Sequence, residues 1–201
     1  MIFLIINMYK EDAPFYKFKK GYIYALKGNK LIFKKWDDIR GIRQTLKNKK
    51  VSGIIISGSD YFVKDSEHSI IDKSIMRSNI PILAICYGFQ YIVSKYGLGK
   101  NTFIKSNKDG YMKYISSISI SDHTEQHLPF YIPKTKYFFY HKDYIVKVPK
   151  VFKIIKKINN KIMIAYNSKK KILGVQFHPE KYKRSSRVFF NLWIKKCITI
   201  N

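Results

Sequence analysis

PILAICYGFQ, Pro81 to Gln90, is the stretch whose reading decides the fold. Ile82, Leu83, Ala84 and Ile85 form an apolar run behind a proline, the pattern of a short buried strand. The pattern changes at Cys86: Tyr87 to Tyr96 reads as a helix, so the cysteine stands at a strand-to-helix turn. A side chain there lies over a helix N-terminus, where unpaired N–H groups and the positive end of the dipole favour an anion. This favours thiolate over thiol, the form a nucleophile needs. Gly88 leaves room beside the sulfur for a substrate, whereas a cysteine without such a neighbour reads as a small buried hydrophobe.

A thiolate nucleophile needs a base, and the base needs a group to orient it. KILGVQFHPE, Lys171 to Glu180, is an apolar strand that closes on His178, Pro179 and Glu180. Residues two apart on an extended segment point the same way. Glu180 is therefore expected to hold the imidazole of His178 while His178 faces Cys86.

AICYGFQ around Cys86, VQFHPE around His178 and Glu180, and ISGS at Ile56 to Ser59 occur in one characteristic order and spacing. In them the chain resembles the class I, triad-type glutamine amidotransferases, over nearly all of its length. Within that family, CYGxQ together with an SHGD-like element looks like the glutaminase part of GMP synthetases; here that element is YHKDYIVKVP, Tyr140 to Pro149. The resemblance implies a flavodoxin-like α/β fold, a three-layer sandwich with a largely parallel central sheet. Interleaved strands and helices, with a nucleophile at the C-terminal end of a strand, point the same way. It implies Cys86 as nucleophile, His178 as base and Glu180 as its orienting carboxylate. The backbone N–H groups of Gly58 and Tyr87 would form the oxyanion hole, and Gln90, Gly88, His141 and Asp143 the substrate-binding lining. Glutamine is the implied substrate, no metal or organic cofactor is required, and the ammonia goes to an ATP pyrophosphatase. The chain departs from the family at Ser59 and Asp60, which replace a glycine and a proline, and at Lys142, which replaces a glycine. The first departure bears on the aim of an oxyanion donor, the second on substrate fit.

A chain of 201 residues, 46% hydrophobic, suits one globular domain spanning 1–201. The glutaminase fills it, so either a synthetase is expected on a separate subunit or the protein works alone on glutamine or γ-glutamyl compounds. MIFLIINM is too short to span a membrane and lacks the basic leader of a signal peptide, so it reads as a first strand of a cytoplasmic protein without membrane attachment. The two cysteines, Cys86 and Cys197, fit a reducing compartment and require no disulfide.

The formal charge of +26 suggests a polyanionic partner. Much of it has a plain source: 34 lysines against 5 arginines, and 32 isoleucines against 4 alanines, follow from AT-rich codons. Codon bias does not remove acids, however, so weak, sequence-independent nucleic-acid binding is expected, and a basic, non-enzymatic or weakly active scaffold is the alternative function. From Lys142 to Asn201 the only carboxylate side chains are Asp143 and Glu180, and both fall within the family-like motifs.

The rest of the chain yields a coarse reading. Glu11 to Lys30, broken by Pro14, Gly21 and Gly28, has no clean helical period. Trp36 to Lys50 reads as an amphipathic helix with Trp36, Ile39, Ile42 and Leu46 on one side. Gly53 to Ser57 reads as a strand, and Ser66 to Ser78 as a helix. Thr102 to Phe139 is β-like, and Tyr137 to Tyr140, Tyr144 to Val148, Val151 to Ile158 and Ile162 to Tyr166 are strands. Ser185 to Cys197 is a final helix that packs Val188, Phe189, Leu192 and Trp193 on the sheet. His123 and His127 are four apart, but the glutamate between them is misplaced for a zinc motif and a solvated turn fits better.

Overall fold

Alternation along the first strand sets the layers. In β1 (Ile2–Asn7), Phe3 and Ile5 face one core while Leu4 and Ile6 face another, and all four are fully buried. In a computed structural model that describes residues 1–65, 69–96, 103–108, 110–120 and 132–198, β1 lies inside a seven-stranded sheet. The sheet order is β2 (Lys30–Lys35), β1, β3 (Gly53–Ile56), β4 (Ile82–Ile85), β11 (Ile172–Val175), β10 (Lys161–Asn167), β9 (Lys153–Ile158). From β2 to β11 every pairing is parallel; at the other edge β10 pairs antiparallel with both β11 and β9, so it alone runs against the rest. β3 and β4 show the same division as β1: Ile55, Leu83 and Ile85 join the first core, and Ile54, Ile56, Ile82 and Ala84 the second. A sheet buried on both faces needs apolar residues at every position, which explains the unbroken ILAI and GIII runs.

Helices cover both faces. α1 (Asp12–Ala25) and α5 (Lys183–Trp193) pack against the first core through Phe15, Tyr22, Phe189, Phe190 and Trp193. α2 (Ile39–Asn48), α3 (Lys73–Arg77) and α4 (Tyr87–Tyr96) cover the second through Ile42, Ile75, Ile92 and Val93. The fold is thus the expected three-layer α/β sandwich. Two small antiparallel pairs stand beside it, β5 (Ile104–Ser106) with β8 (Asp143–Ile145) and β6 (Met112–Ile120) with β7 (Ile132–His141). An isolated bridge from Phe138 to His178 ties β7 to the main body.

Several boundaries differ from the sequence reading for identifiable reasons. Glu11 to Lys30 is mostly helix. Pro14 falls in its first turn, where a missing N–H costs nothing, and Phe15, Phe18, Tyr22 and Ala25 form the inward face that intervening exposed aromatics had obscured. β2 had no counterpart in that reading. α2 starts at Ile39 rather than Trp36 because the Asp38 carboxylate caps it, accepting from the Gly41 N–H at 2.9 Å. Ile39, placed on the buried side by its spacing, is exposed. α3 is shorter than Ser66 to Ser78, capped by Asp72, and residues 66–68 lie outside the described residues. His123 and His127 also lie outside them. The last helix ends at Trp193 and continues as a π-helical turn, Ile194–Ile198. Among the described residues no helix is long and apolar enough to cross a membrane.

Candidate active site

Cys86 stands between β4 and α4 with φ at +49°, a left-handed conformation that strains a side-chain-bearing residue. Hydrogen bonds hold it there: its N–H donates to the Val175 carbonyl at 2.7 Å, and its carbonyl accepts from the Gln90 N–H at 3.0 Å. The first bond ties the bend to β11, the second starts α4. Tyr87 is the first residue of α4, so its backbone N–H has no intrahelical acceptor. Its side chain points elsewhere, donating to the Ser69 carbonyl at 2.6 Å, with its ionisation pushed up by burial. Any part Tyr87 plays at the sulfur therefore falls to its backbone.

β11 carries the opposite wall. It ends at Val175, and His178 and Glu180 follow in an irregular segment and turn rather than on a continuing strand. The pair forms nonetheless: His178 Nδ1 lies 2.8 Å from Glu180 Oε1, both residues being almost wholly buried. Burial opposes a charge on His178, but the carboxylate of Glu180 and then Cys86 outweigh it, raising the imidazole to about 10. The ring is held on one side by Phe18, stacked at 5.0 Å and 24°, and its backbone N–H donates to the Phe138 carbonyl at 2.8 Å.

Gly58 fills the gap between the two walls. A Cβ there would lie 2.7 Å from His178 Cε1 and 3.6 Å from Cys86 Cβ, so no side chain fits. The substitutions that depart from the family anchor this loop. Ser59 Oγ donates to the Met8 carbonyl at 2.6 Å, and Asp60 accepts from the Lys10 N–H at 2.8 Å. Gly88 plays a part different from the one expected of it. A Cβ at that position would fall 2.7 Å from Ile56 Cγ2 and 2.8 Å from the Ile56 carbonyl oxygen, so the space is taken by β3 and is not open to substrate.

The remaining residues of the proposed lining gather at the β7–β8 turn. Gln90 is buried, and its amide nitrogen donates to the Asp143 carbonyl at 2.7 Å and to Gln176 Oε1 at 3.2 Å. Gln176 in turn donates to Cys86 Sγ at 3.5 Å. Gln176 lies inside the quoted VQFHPE motif, and its even spacing from His178 was the signal that could have marked it. Tyr9 was also missed; Glu180 and Cys86 add to burial in raising its hydroxyl. His141 Nδ1 faces the Asp143 carbonyl at 3.0 Å, an acceptor, so Nδ1 carries the proton; burial lowers this imidazole to about 4. Asp143 accepts from Ser106 at 2.6 Å through Oδ1, its Oδ2 has no partner among the described residues, and burial raises it.

The void at Cys86 measures about 10 Å³ and is lined by Tyr61, Phe62, Tyr111, Tyr140 and Lys142, which leaves room for about one water. A larger cavity of about 640 Å³ shares Ser59, Tyr111 and Tyr140 with it and has His178, Tyr9 and Phe18 in its walls. Among the described residues no cluster of three metal-ligating side chains occurs.

The molecule is a flavodoxin-like sandwich with a cysteine at its strand–helix elbow and a buried histidine–carboxylate pair across Gly58 from it, an arrangement chemically suited to thiol-dependent acyl transfer. Residues 17–196 match the model of the family "Glutamine amidotransferase class-I", and the chain belongs to that family. Curated relatives include the GMP synthase [glutamine-hydrolyzing] of Wigglesworthia glossinidia brevipalpis, 34% identical over 158 residues, and that of Borreliella burgdorferi (strain N40), 36% identical over 135 residues. The alignments take in 76% and 67% of this chain but only 30% and 25% of those proteins. The chain thus spans less than a third of the relatives it matches. Among solved structures, the glutaminase domain of Trypanosoma brucei CTPS with bound acivicin superposes with a TM-score of 0.57 at 12% identity, covering 98% of this chain and 94% of that one. A second glutamine amidotransferase crystal structure reaches 0.62 at 10% identity, covering 98% and 99%. At those identities they speak for the fold alone.

Proposed function

We propose that the chain hydrolyses the side-chain amide of glutamine through Cys86, His178 and Glu180. The reading rests above all on one juxtaposition: the strained Cys86 elbow and the buried His178–Glu180 pair meet across Gly58. The Cys86 thiolate attacks the carboxamide carbon, and the oxygen that becomes negative is received by the backbone N–H groups of Gly58 and Tyr87. His178, held protonated by Glu180, gives its proton to the departing nitrogen, releasing ammonia and leaving a thioester on Cys86. A water molecule, deprotonated by His178, then breaks the thioester to glutamate and free thiol. Asp143, His141 and Gln90 line the substrate side, and the aromatic layer of Phe62, Tyr111 and Tyr140 moves aside to admit glutamine, since the void is too small for it. Residues 1–201 act as one glutaminase unit. The ammonia passes to a synthetase partner, in our reading an ATP pyrophosphatase on a separate subunit; the glutamine-hydrolysing GMP synthase names of the relatives support a synthetase as acceptor.

The test is a glutamine-mimicking electrophile read by mass spectrometry, beside an ammonia assay. Labelling at Cys86 and none at Cys197 is expected, with both labelling and turnover abolished in Cys86→Ala. A folded wild-type chain without an adduct at Cys86 sinks the reading.

A second reading has its own observation. Asp143 and Glu180, the only side-chain carboxylates from Lys142 onward, are both buried, so the last 60 residues present a cationic surface without acidic relief. That surface binds nucleic acid weakly and without regard to sequence. Binding is expected to fall steeply between low and high salt; binding indifferent to salt, or a strong base preference, counts against it.

A further inference from the structure

Helix α1 presents three residues to the His178–Glu180 pair, and the steps described above use none of them. Phe18, Gly21 and Tyr22 lie at i, i+3 and i+4, on one face of the helix. Phe18 stacks on the imidazole at 5.0 Å. At Gly21 a Cβ would fall 1.9 Å from the Glu180 carbonyl oxygen, so the helix backbone lies directly against the turn that carries the carboxylate. A glycine inside a helix is otherwise unfavourable, and here close approach requires it. Tyr22 is fully buried beside it, and after burial the charge of Glu180 is the largest influence keeping its hydroxyl un-ionised.

Glu180 uses Oε1 on His178, while among the described residues its Oε2 and the Tyr22 hydroxyl are both buried without a hydrogen bond of normal geometry, although Glu180 lies close enough to act on that hydroxyl. One is an acceptor and the other a donor, and each is costly to bury alone. Hydrogen bonds of catalytic groups are often long before substrate binds and tighten in the complex. We propose that Tyr22 is a positioning residue whose hydroxyl donates to Oε2 of Glu180 in the working enzyme, fixing the carboxylate that orients His178. A carboxylate shared with that hydroxyl pulls less strongly on the imidazole proton, so Tyr22 also tunes how readily His178 releases it. The inference rests on the glutaminase reading for its purpose, though not for its geometry.

Tyr22→Phe in the full chain removes only the hydroxyl. The His178 Nδ1–H proton resonance is expected to move further downfield, because Glu180 becomes the stronger acceptor. The kcat for ammonia release should fall about tenfold, with KM for glutamine almost unchanged, as for loss of a hydrogen bond to a charged group. An unmoved resonance with unchanged kcat, together with higher thermal stability, overturns the proposal; that is the behaviour of a hydroxyl that is merely buried without a partner. The resonance is read without turnover, which separates the two readings. A wild-type chain that releases no ammonia and takes no label, yet whose resonance moves in Tyr22→Phe, sinks the glutaminase reading and keeps the positioning one.

Discussion

Two buried histidines mark two regions of the site, and their environments drive them in opposite directions. His178 lies 2.8 Å from the Glu180 carboxylate and is raised to about 10; His141 faces the Asp143 backbone carbonyl at 3.0 Å and is lowered to about 4. Burial alone lowers a histidine, and both residues are nearly inaccessible. The difference is therefore the partner: a full negative charge overcomes desolvation, and a carbonyl dipole does not. At neutral pH the first histidine is therefore held cationic and the second neutral. The proposed mechanism accordingly assigns proton transfer to the β11 side of the site and substrate holding to the β7–β8 turn.

The sharpest way to break this division is to truncate each histidine. His178→Ala should lower the kcat for ammonia release by about 10³-fold, within the range for loss of a positioned acid–base group. His141→Ala should cost less than about tenfold in kcat and act mainly on KM. Comparable losses in kcat from both variants would mean that the two regions share the proton chemistry. Such a result would void the distinction drawn from their environments.

Stability against pH sharpens the same contrast with a smaller effect. The folded value of His178 lies above its ordinary 6.5, so its contribution is fully present below about pH 6.5 and is lost as pH rises toward 10. His141 behaves inversely: its contribution is present above about 6.5 and lost as pH falls toward 4. Melting curves from pH 4 to 10 should therefore fall off at both ends. Glu180→Gln should flatten the alkaline limb and His141→Asn the acidic one, at about 2–4 °C for each kcal/mol in a chain of this size. Glu180→Gln should also reduce turnover less than His178→Ala, because it misorients the base without removing it. An alkaline limb unchanged in Glu180→Gln would show that Glu180 does not hold the proton of His178.

The two regions also differed in how far they could be read from the chain. The elbow was legible because ILAI is bounded by Pro81 and Cys86, and because a doubly buried parallel strand leaves an unbroken apolar run. The pairing of His178 with Glu180 was legible from spacing, although it is made in a turn and not on the strand assumed. Helix α1, which backs that pair, was not. Its Gly21 looked like a breaker, yet the glycine is there for the carbonyl of Glu180, some 160 residues away in sequence, and no local pattern carries that information. Gly88 failed for the same reason, since its empty side is filled by Ile56 from another strand. Local periodicity reports which element forms; close approach between elements is written only in the tertiary structure.

The smallest expected effect concerns Lys142, the residue that most sets the β7–β8 turn apart from the family pattern. Its ammonium lies 5.1 Å from the centre of the Phe62 ring, Phe62 meets Tyr111 at 5.6 Å, and Tyr111 stacks on Tyr140 at 4.9 Å. Together these side chains line the void of about 10 Å³ at Cys86. A cation over an aromatic face contributes about 0.5–1 kcal/mol at an accessible site, and Lys142 is only half-buried. If that contact holds the layer shut, Lys142→Gly removes a latch worth roughly a two- to fivefold change in access. Labelling of Cys86 by a small glutamine-like electrophile should then quicken by that factor, while the His178 Nδ1–H resonance stays where it is, because the change lies wholly in the His141 region. Slower labelling would mean instead that the lysine attracts the carboxylate of the incoming substrate. An unchanged rate would leave the aromatic stack, without the lysine, as what closes the site.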